Sequence, residues 1–275
     1  MNAQIPIFHI EAQTLPEVWE KAVLKTWQEG HPIKTEYDRP DEKLSKDCTM
    51  IMVIKSPMSE PRIHRAFPGS LEDLEIYKQE VVDGVHDHWI NPAEGKWTYT
   101  YHKRIFGYET EGEQIDQIDY CIRKLSETPY SRRAQAITWN PKLDPETYDP
   151  PCLQRLWFRI TKADDDKLFL NCNTHWRSRD AFKASFMNMF ALIALQAKIA
   201  DQLSQNIGKE VSVGRYVDIS DSFHIYGSYF KEFERFLETV KNRSFEQKTW
   251  TTKFARPFFE EAKEKLKKEK EENNG

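Results

Sequence analysis

The chain has 275 residues with a formal net charge of -4 and a pI near 6.1. This length suffices for one large domain or two small ones, and so mild a charge argues against a general nucleic-acid binder. The four cysteines form no CxxC pair, which argues against a cysteine zinc site and a disulfide framework. We therefore expect reduced thiols. Because the amino-terminal residues lack a basic segment and a long apolar run, we expect a cytoplasmic protein without a membrane-spanning segment.

Apolar spacing predicts the elements of the first half of the chain in order. We expect strands at 5–10 and 49–54, helices at 16–30, 70–82 and 115–125, and loops at 31–46, 60–68 and 86–106. Thr14 is the candidate amino-terminal cap of the first helix.

The second half begins with a strand at 134–139, followed by a hairpin of two strands, 153–160 and 168–173, around an acidic turn. A helix at 185–203 is apolar over most of its circumference, as expected of a helix buried at the centre of a domain. A strand at 211–219 and a helix through 233–240 follow. We predict one α+β domain over 1–258 and a charged tail over 259–275, which is either a solvated helix or disordered.

Cys152 stands directly after two prolines at the start of a predicted strand. Pro150 and Pro151 fix φ and lack N–H donors, so they hold the entry to Cys152 extended and outside the hydrogen-bond ladder. Thiolate reactivity needs partial access and nearby positive charge, and Arg177 belongs to the same region. Cys152 is therefore a candidate nucleophile.

Five short motifs around this cysteine share one order: SRRAQAITW from 131, PPC from 150, RSRD from 177, MN from 187 and HIY from 224. Together they resemble the folate-dependent thymidylate synthase family, in particular its short archaeal-type branch, over about half of the chain. The resemblance implies a single α+β domain in which a mixed β-sheet packs with a long buried central helix. It also implies an obligate homodimer that pairs sheet to sheet.

The family's reaction implies a role for each residue near the sulfur. Cys152 would add to C6 of dUMP, with 5,10-methylene-tetrahydrofolate or tetrahydromethanopterin as the carbon donor and with no metal. Tyr101 would lie beside the sulfur, Asp180 by the base and the cofactor, and Trp89 along the folate site. Glu80 would manage water and proton traffic around the pyrimidine; an exposed helix glutamate is the alternative.

The resemblance also assigns the phosphate site. Arg177 and Ser178 would contact the phosphate together with Arg132 and Arg133 of the other subunit. Arg39, in the early loop, is a further candidate for this site; the alternative is a solvated surface arginine.

Base and ribose recognition would depend on three residues. Asn188 can donate to O4 and accept from N3–H of uracil, whereas cytosine hydroxymethylases use aspartate at this position. His224 and Tyr226 would bind the ribose 3′-hydroxyl.

The chain departs from the family pattern at Leu153, where a histidine usually follows the nucleophile, and at Trp176, where a glutamine is usual. Three hypotheses stay open on the sequence. The first is thymidylate synthase, and the second is a pyrimidine nucleotide 5-hydroxymethylase acting on dUMP or dCMP. The third is a catalytically silent relative that binds nucleotide or RNA; DNA is not an expected partner.

Overall fold

The fold combines a large mixed sheet with helices, and a computed structural model describes it over residues 4–273, the side chain of Asn273 excepted. The strands are β1 (Ile7–Ala12), β2 (His31–Ile33), β3 (Ser45–Ile54), β4 (Ile63–His64), β5 (Tyr108–Thr110), β6 (Glu113–Ile115), β7 (Gln135–Ile137), β8 (Leu153–Lys162), β9 (Leu168–Trp176), β10 (Arg179–Asp180), β11 (Val211–Ile225) and β12 (Thr249–Trp250). The helices are α1 (Leu15–Glu29), α2 (Leu71–Asp83), α3 (Tyr101–Phe106), α4 (Gln117–Glu127), α5 (Ser185–Ile207), α6 (Phe230–Asn242) and α7 (Thr252–Asn273).

The main sheet has the strand order β1-β3-β11-β9-β8-β7, with β2 added on β3 and β10 on β11. The pairs β1–β3 and β11–β9 are parallel, whereas β3–β11, β8–β9 and β7–β8 are antiparallel. The α+β fold with a mixed sheet is thereby confirmed. This topology brings the end of β9, the start of β8 and the end of β11 side by side.

The long helix α5 packs across β9 and β11 and is covered by α2. Its apolar side chains are buried on most sides, and the buried Gln196 donates to the carbonyl of Leu170 at 2.7 Å. The helix continues four residues beyond the predicted end, to Ile207, and stops where Gly208 takes φ of +70°, a conformation that glycine adopts without steric cost. The predicted central helix is confirmed.

Several boundaries differ from the sequence prediction. The predicted loop 86–106 contains α3, the predicted loop 31–46 contains β2, and β11 continues past 219 to Ile225 through an irregularity in its pairing with β3. Thr14 occupies the amino-terminal cap of α1, as predicted, but its side chain makes no capping hydrogen bond. Glu17 instead accepts from the N–H of Gln13 at 3.2 Å.

Within residues 259–273 the carboxyl-terminal charges lie on α7, which agrees with the helical alternative for the tail, and residues 274 and 275 lie outside the described part of the chain. The helix runs without a break through the predicted domain boundary at 258/259, which stays a prediction. Ala262 and Leu266 are buried, and Lys265 pairs with Glu72 of α2 at 2.5 Å. Among residues 4–273, no helix has the length and apolarity needed to cross a bilayer.

Candidate active site

A cleft of about 540 Å³, here named the thiol cleft, opens where β8, β10, β11 and α5 converge. It brings together eight of the predicted site residues: Tyr101, Cys152, Arg177, Ser178, Asp180, Asn188, His224 and Tyr226. These residues come from distant parts of the chain, and the parallel and antiparallel pairing of β8, β9 and β11 aligns them.

Cys152 lies at the entry to β8 and is held there by Arg177. The guanidinium of Arg177 donates through Nε to the carbonyl of Pro151 at 3.0 Å and through Nη2 to that of Pro150 at 2.6 Å. The backbone N–H of Arg177 also donates to the carbonyl of Cys152 at 3.0 Å. An arginine has five N–H donors, so others remain for an anion.

Burial raises the pKa of the Cys152 thiol, and the nearby Asp149 adds to this effect. Arg177 and Arg179 act in the opposite direction, but more weakly than burial. The expected influence of an arginine on the sulfur is present, yet the resting thiol stays protonated. Ionisation therefore needs a further change in the cleft, such as substrate binding.

Tyr101 is the first residue of α3, whose amino-terminal cap is the side chain of Thr100. The Tyr101 hydroxyl accepts from the N–H of Leu153 at 3.4 Å. Leu153 directly follows Cys152, so this hydrogen bond holds the hydroxyl close to the nucleophile candidate. Its ring packs edge-on against Trp176 at 5.7 Å. Burial raises the pKa of Tyr101 well above its usual value, so the hydroxyl is neutral.

Asn188 lies in the first turn of α5 and is almost fully buried. Its amide nitrogen donates to the hydroxyl of Tyr77, which projects from α2. Tyr77 thereby fixes the plane of the amide. An amide so held can pair with a ring that presents one acceptor and one donor.

Asp180 lies in β10 with both carboxylate oxygens engaged. Its Oδ1 accepts from the N–H groups of Phe182 at 3.0 Å and Lys183 at 2.8 Å, and its Oδ2 accepts from the Tyr229 hydroxyl at 3.0 Å. Burial nevertheless raises its pKa. Asp180 therefore lines the cleft and also anchors the turn that leads into α5.

His224 and Tyr226 lie at the end of β11. Burial lowers the pKa of His224 to about 4, so the ring is neutral at neutral pH. Its Nδ1 lies 3.2 Å from the Ser222 hydroxyl, and its buried Nε2 has no partner among the described residues. Tyr226 packs edge-on against the ring at 4.5 Å. A ligand hydroxyl would satisfy the free ring nitrogen.

Gly227 permits the early loop to reach this end of the cleft. A Cβ at Gly227 would lie 1.7 Å from the carbonyl oxygen of Lys43, so no larger residue fits without moving the loop. The same loop places Tyr37 on the cleft wall.

A second cleft of about 530 Å³, here named the side cleft, adjoins the thiol cleft. The two share five residues: Tyr77, Tyr99, Tyr101, Tyr148 and Asp149. Glu80 lies in the side cleft, where burial raises its pKa and Nδ1 of His86 lies 3.2 Å from its Oε2. The structure thus places Glu80 beside the thiol cleft, not within it.

Trp89, predicted to wall the folate site, lines neither cleft. It stacks on His86 at 3.6 Å and packs edge-on against Trp97 at 5.1 Å, and Trp97 is the indole that lines the side cleft. Trp97 therefore lines the side cleft and Trp89 packs behind it, and the role of Trp89 at a folate site stays a prediction. The aromatic residues of 86–106 have no helical or strand periodicity, so sequence spacing could not rank them.

Three predicted phosphate ligands are not brought to the cleft within one chain. Arg132 and Arg133 are exposed just before β7. Arg39 is 81% exposed, and its Nε lies 4.0 Å from a carboxylate oxygen of Glu42. The surface-arginine alternative describes the observed position of Arg39.

A buried ion pair beneath the cleft escaped the sequence analysis. Arg179 pairs with Asp218, donates to the carbonyl of Ser185 at 2.9 Å and lies 3.8 Å from the ring centroid of Trp176. The indole of Trp176 also donates to Asp218 at 3.1 Å. Asp218 within an apolar strand was the available signal, since a buried carboxylate needs a partner.

Four tyrosines of the cleft were also missed as site residues: Tyr37, Tyr77, Tyr99 and Tyr148. Within residues 4–273, no three His, Cys, Asp or Glu side chains are grouped so as to hold a metal ion.

A family profile described as Thymidylate synthase matches residues 69–270. The chain belongs to the thymidylate synthase family. A Methanocaldococcus jannaschii protein named "Putative thymidylate synthase" is 30% identical over 222 residues, which cover 79% of this chain and 90% of that protein. A Methanosarcina mazei protein of the same name is 29% identical over 231 residues, which cover 84% of this chain and 95% of that protein.

The solved structure of a thermostable thymidylate synthase A from Bacillus subtilis has the same fold, with a TM-score of 0.59 and 19% identity. The match covers 82% of this chain and 84% of that structure. The family resemblance inferred from the five motifs is confirmed.

Proposed function

We propose that this chain is a thymidylate synthase that converts dUMP to dTMP with a methylene-tetrahydropterin as one-carbon donor. Family membership supports a one-carbon transfer enzyme that uses a folate cosubstrate. The observation that carries the proposal is the shared cleft of the nucleophile and the nucleotide-binding candidates: Cys152, Arg177, Ser178, Asn188, His224 and Tyr226.

The first step is attack by the Cys152 sulfur on C6 of the uracil ring, which makes C5 nucleophilic. The resting thiol is protonated, so the step begins with loss of its proton. Arg177 and Arg179 favour the thiolate. Asn188 holds O4 and N3–H, and its donor stabilises the negative charge that develops at O4.

The side cleft is where the pterin would bind. Trp97, Tyr99 and Tyr148 line it and offer aromatic faces for a flat ring, and Glu80 offers a carboxyl group with a raised pKa for the ring nitrogens. When bound, the pterin supplies both the methylene carbon and the hydride. The shared tyrosines would bring C5 and the methylene carbon together.

Tyr101 would act on the proton that leaves C5. Its neutral hydroxyl lies beside Leu153, next to the nucleophile, so it can hold the water that receives this proton. The aromatic walls exclude other water from the reacting carbon.

The phosphate site is proposed to need a second subunit, in line with the dimeric state of the family. Arg177 and Ser178 would hold the phosphate from within the chain, and Arg132 and Arg133 would reach it from the partner. The sheet face opposite α5 supports this arrangement, because apolar side chains such as Ile51, Trp157 and Ile219 are only half-buried there.

Mass analysis of the product tests this function. The protein is incubated with dUMP and 5,10-methylene-tetrahydrofolate, and in parallel with the tetrahydromethanopterin donor, and the nucleotides are separated and weighed. We expect dTMP. A product heavier by one oxygen would identify the 5-hydroxymethylase, and recovery of unchanged dUMP with both donors would favour the silent nucleotide-binding relative.

A further inference from the structure

His86 is a buried histidine that lines neither the thiol cleft nor the side cleft. It lies in the turn that follows α2. This turn brings the imidazole ring back against the same helix, and its Nδ1 lies 3.2 Å from Oε2 of Glu80. Glu80 lines the side cleft. His86 therefore contacts a carboxyl group of the proposed pterin site from outside that site.

Two further contacts enclose the ring of His86. One face stacks on Trp89, with ring centroids 3.6 Å apart and planes within 9° of parallel. Trp89 in turn packs edge-on against Trp97, which lines the side cleft. On the far edge of the ring, Nε2 is buried without a hydrogen-bond partner among the described residues and lies 3.9 Å from Oε2 of Glu269. The ring is thus held between α2, its own turn and the carboxyl-terminal helix α7.

The titratable groups around this contact come from the same three segments. Glu269 faces the ring from α7, and Asp87 and His88 follow it in the turn, with His88 edge-on at 6.3 Å. Burial raises the pKa of Glu80 and Asp87 adds to this effect, whereas the hydrogen bond and the charge of His86 act in the opposite direction. His86 therefore favours the ionised carboxylate of Glu80, which accepts hydrogen bonds from N–H groups.

We propose that His86 is a positioning residue for Glu80 at the pterin site and that α7 holds His86 in place. The proposal rests on the proposed function, in which the side cleft binds the pterin. His86 would hold the carboxylate of Glu80 toward the N–H groups of the pterin ring, as a supporting hydrogen bond does for a residue that contacts a ligand. The charged carboxyl-terminal segment then has a role, because Glu269 of α7 covers the far edge of the His86 ring without lining the side cleft.

Two substitutions of His86 separate its hydrogen bond from its packing. His86→Phe keeps a flat ring on Trp89 but removes the donor to Glu80, and His86→Asn keeps an N–H donor near the place of Nδ1 but loses most of the ring. Initial rates are measured with each substrate varied in turn, and circular dichroism verifies folding. His86→Phe should raise the KM for the pterin about tenfold, because a hydrogen bond to a carboxylate is lost, and should keep the KM for dUMP within about twofold. His86→Asn should keep both KM values within about threefold of the wild type.

Glu269→Gln tests the contribution of α7. The substitution keeps the shape of the side chain but removes the charge that faces Nε2 of His86, and it should raise the KM for the pterin about two- to threefold. Glu271→Gln, at an exposed position two residues further along α7, is the matched control and should match the wild type. An unchanged KM in Glu269→Gln would overturn the part assigned to α7.

A measurement without turnover separates the role of His86 from the proposed reaction. Carboxyl ¹³C NMR follows the glutamate side chains of the full chain through a pH titration, and Glu80→Gln identifies the Glu80 signal. The pKa of Glu80 should rise in His86→Phe and should rise less in His86→Asn. These changes in a protein whose wild type turns over neither pterin donor would support the positioning of Glu80 by His86 and overturn only the proposed reaction.

Three results would overturn the proposal for His86. One is an unchanged pKa of Glu80 in His86→Phe. Another is a larger rise of the KM for the pterin in His86→Asn than in His86→Phe, which would show that packing on Trp89 is what matters. The third is an equal rise of the KM values for the pterin and dUMP, which would show a general disturbance of the fold.

Discussion

At the end of the thiol cleft that holds Cys152, Asn188 and His224, each polar group is buried or half-buried and positioned by contacts within one chain. Arg132 and Arg133, assigned to the phosphate, are instead exposed just before β7. Folding of one chain therefore assembles the part of the cleft that holds Cys152, Asn188 and His224, whereas it leaves Arg132 and Arg133 outside the cleft. The proposed dimer accounts for this difference, since a second chain can bring to a shared site the arginines that the single chain leaves outside its cleft.

The largest expected effect is at the nucleophile. Cys152→Ala removes the sulfur that makes C5 reactive and should lower turnover by about 10⁴-fold or more. Product formation is measured with dUMP and the methylene donor, and circular dichroism verifies folding. Cys121→Ala, which truncates a buried thiol outside the cleft, is the matched control and should retain turnover. Activity retained in Cys152→Ala would refute the covalent mechanism.

Substitution of Arg132 and Arg133 tests the proposed phosphate site. Replacing Arg132 and Arg133 together by alanine should lower kcat/KM for dUMP by about 100-fold, since charge-assisted hydrogen bonds to the phosphate are lost. Arg235→Ala, an exposed arginine of α6, should have no effect.

Mixing this double variant with Cys152→Ala distinguishes shared sites from separate ones. If subunits exchange freely, about a quarter of the sites receive an intact cysteine and intact partner arginines, so activity returns to about that fraction. Mixtures as inactive as their components, despite verified subunit exchange, would show that the arginines act within their own chain.

Asn188→Asp tests the proposed recognition of the pyrimidine base. A carboxylate cannot donate to O4, so kcat/KM for dUMP should fall by about 100-fold, and binding of dCMP relative to dUMP should improve. Both nucleotides are compared by competition. Asn206→Asp, at the exposed end of the same helix, should change neither value. Unchanged preference in Asn188→Asp would remove this residue from base recognition.

The buried, neutral His224 makes the stability of the folded chain depend on pH. Because burial lowers its pKa to about 4, the unfolded chain binds a proton more readily than the folded chain as the pH falls below about 6.5. The free energy of unfolding should therefore be about 3 kcal/mol lower near pH 4 than at neutral pH because of this residue. Urea unfolding across this range should show a smaller decline for His224→Gln than for the wild type.

The exposed His9→Gln variant is the control for that series and should follow the wild-type curve. Equal declines in the wild type and His224→Gln would mean that His224 is accessible to protons in the folded chain.

The smallest effect is expected at Arg39. Its side chain is 81% exposed and lies outside the cleft, so Arg39→Ala should change the KM for dUMP by less than about twofold. Initial rates over a range of dUMP concentrations measure this. A tenfold rise in KM would return Arg39 to the phosphate site and show that the early loop moves when substrate binds.

Sequence reasoning predicted the parts of the structure that depend on local pattern. The apolar circumference of α5 predicted its burial, and the apolar and aromatic residues after Cys152 predicted the strand β8 that starts at Leu153. The motifs also predicted that Asn188 and His224 lie near Cys152. Both line the thiol cleft, because the helix or strand on which each lies fixes its position.

The remaining features depend on contacts between distant segments. Arg179 meets Asp218 only because β10 and β11 pair, and no periodicity links the two positions. Trp97 rather than Trp89 lines the side cleft because an irregular loop decides which indole faces inward. The exposed arginine pair received its predicted role only through resemblance to a family, since both residues precede β7 and line neither cleft.

Covalent trapping tests the central claim most directly. The protein is mixed with 5-fluoro-dUMP and 5,10-methylene-tetrahydrofolate; fluorine cannot leave C5 as a proton does, so the adduct should accumulate. Peptide mass spectrometry should then find the nucleotide and the pterin together on the peptide that contains Cys152. The absence of an adduct under conditions that support turnover, or an adduct on Cys48, Cys121 or Cys172, would contradict the account.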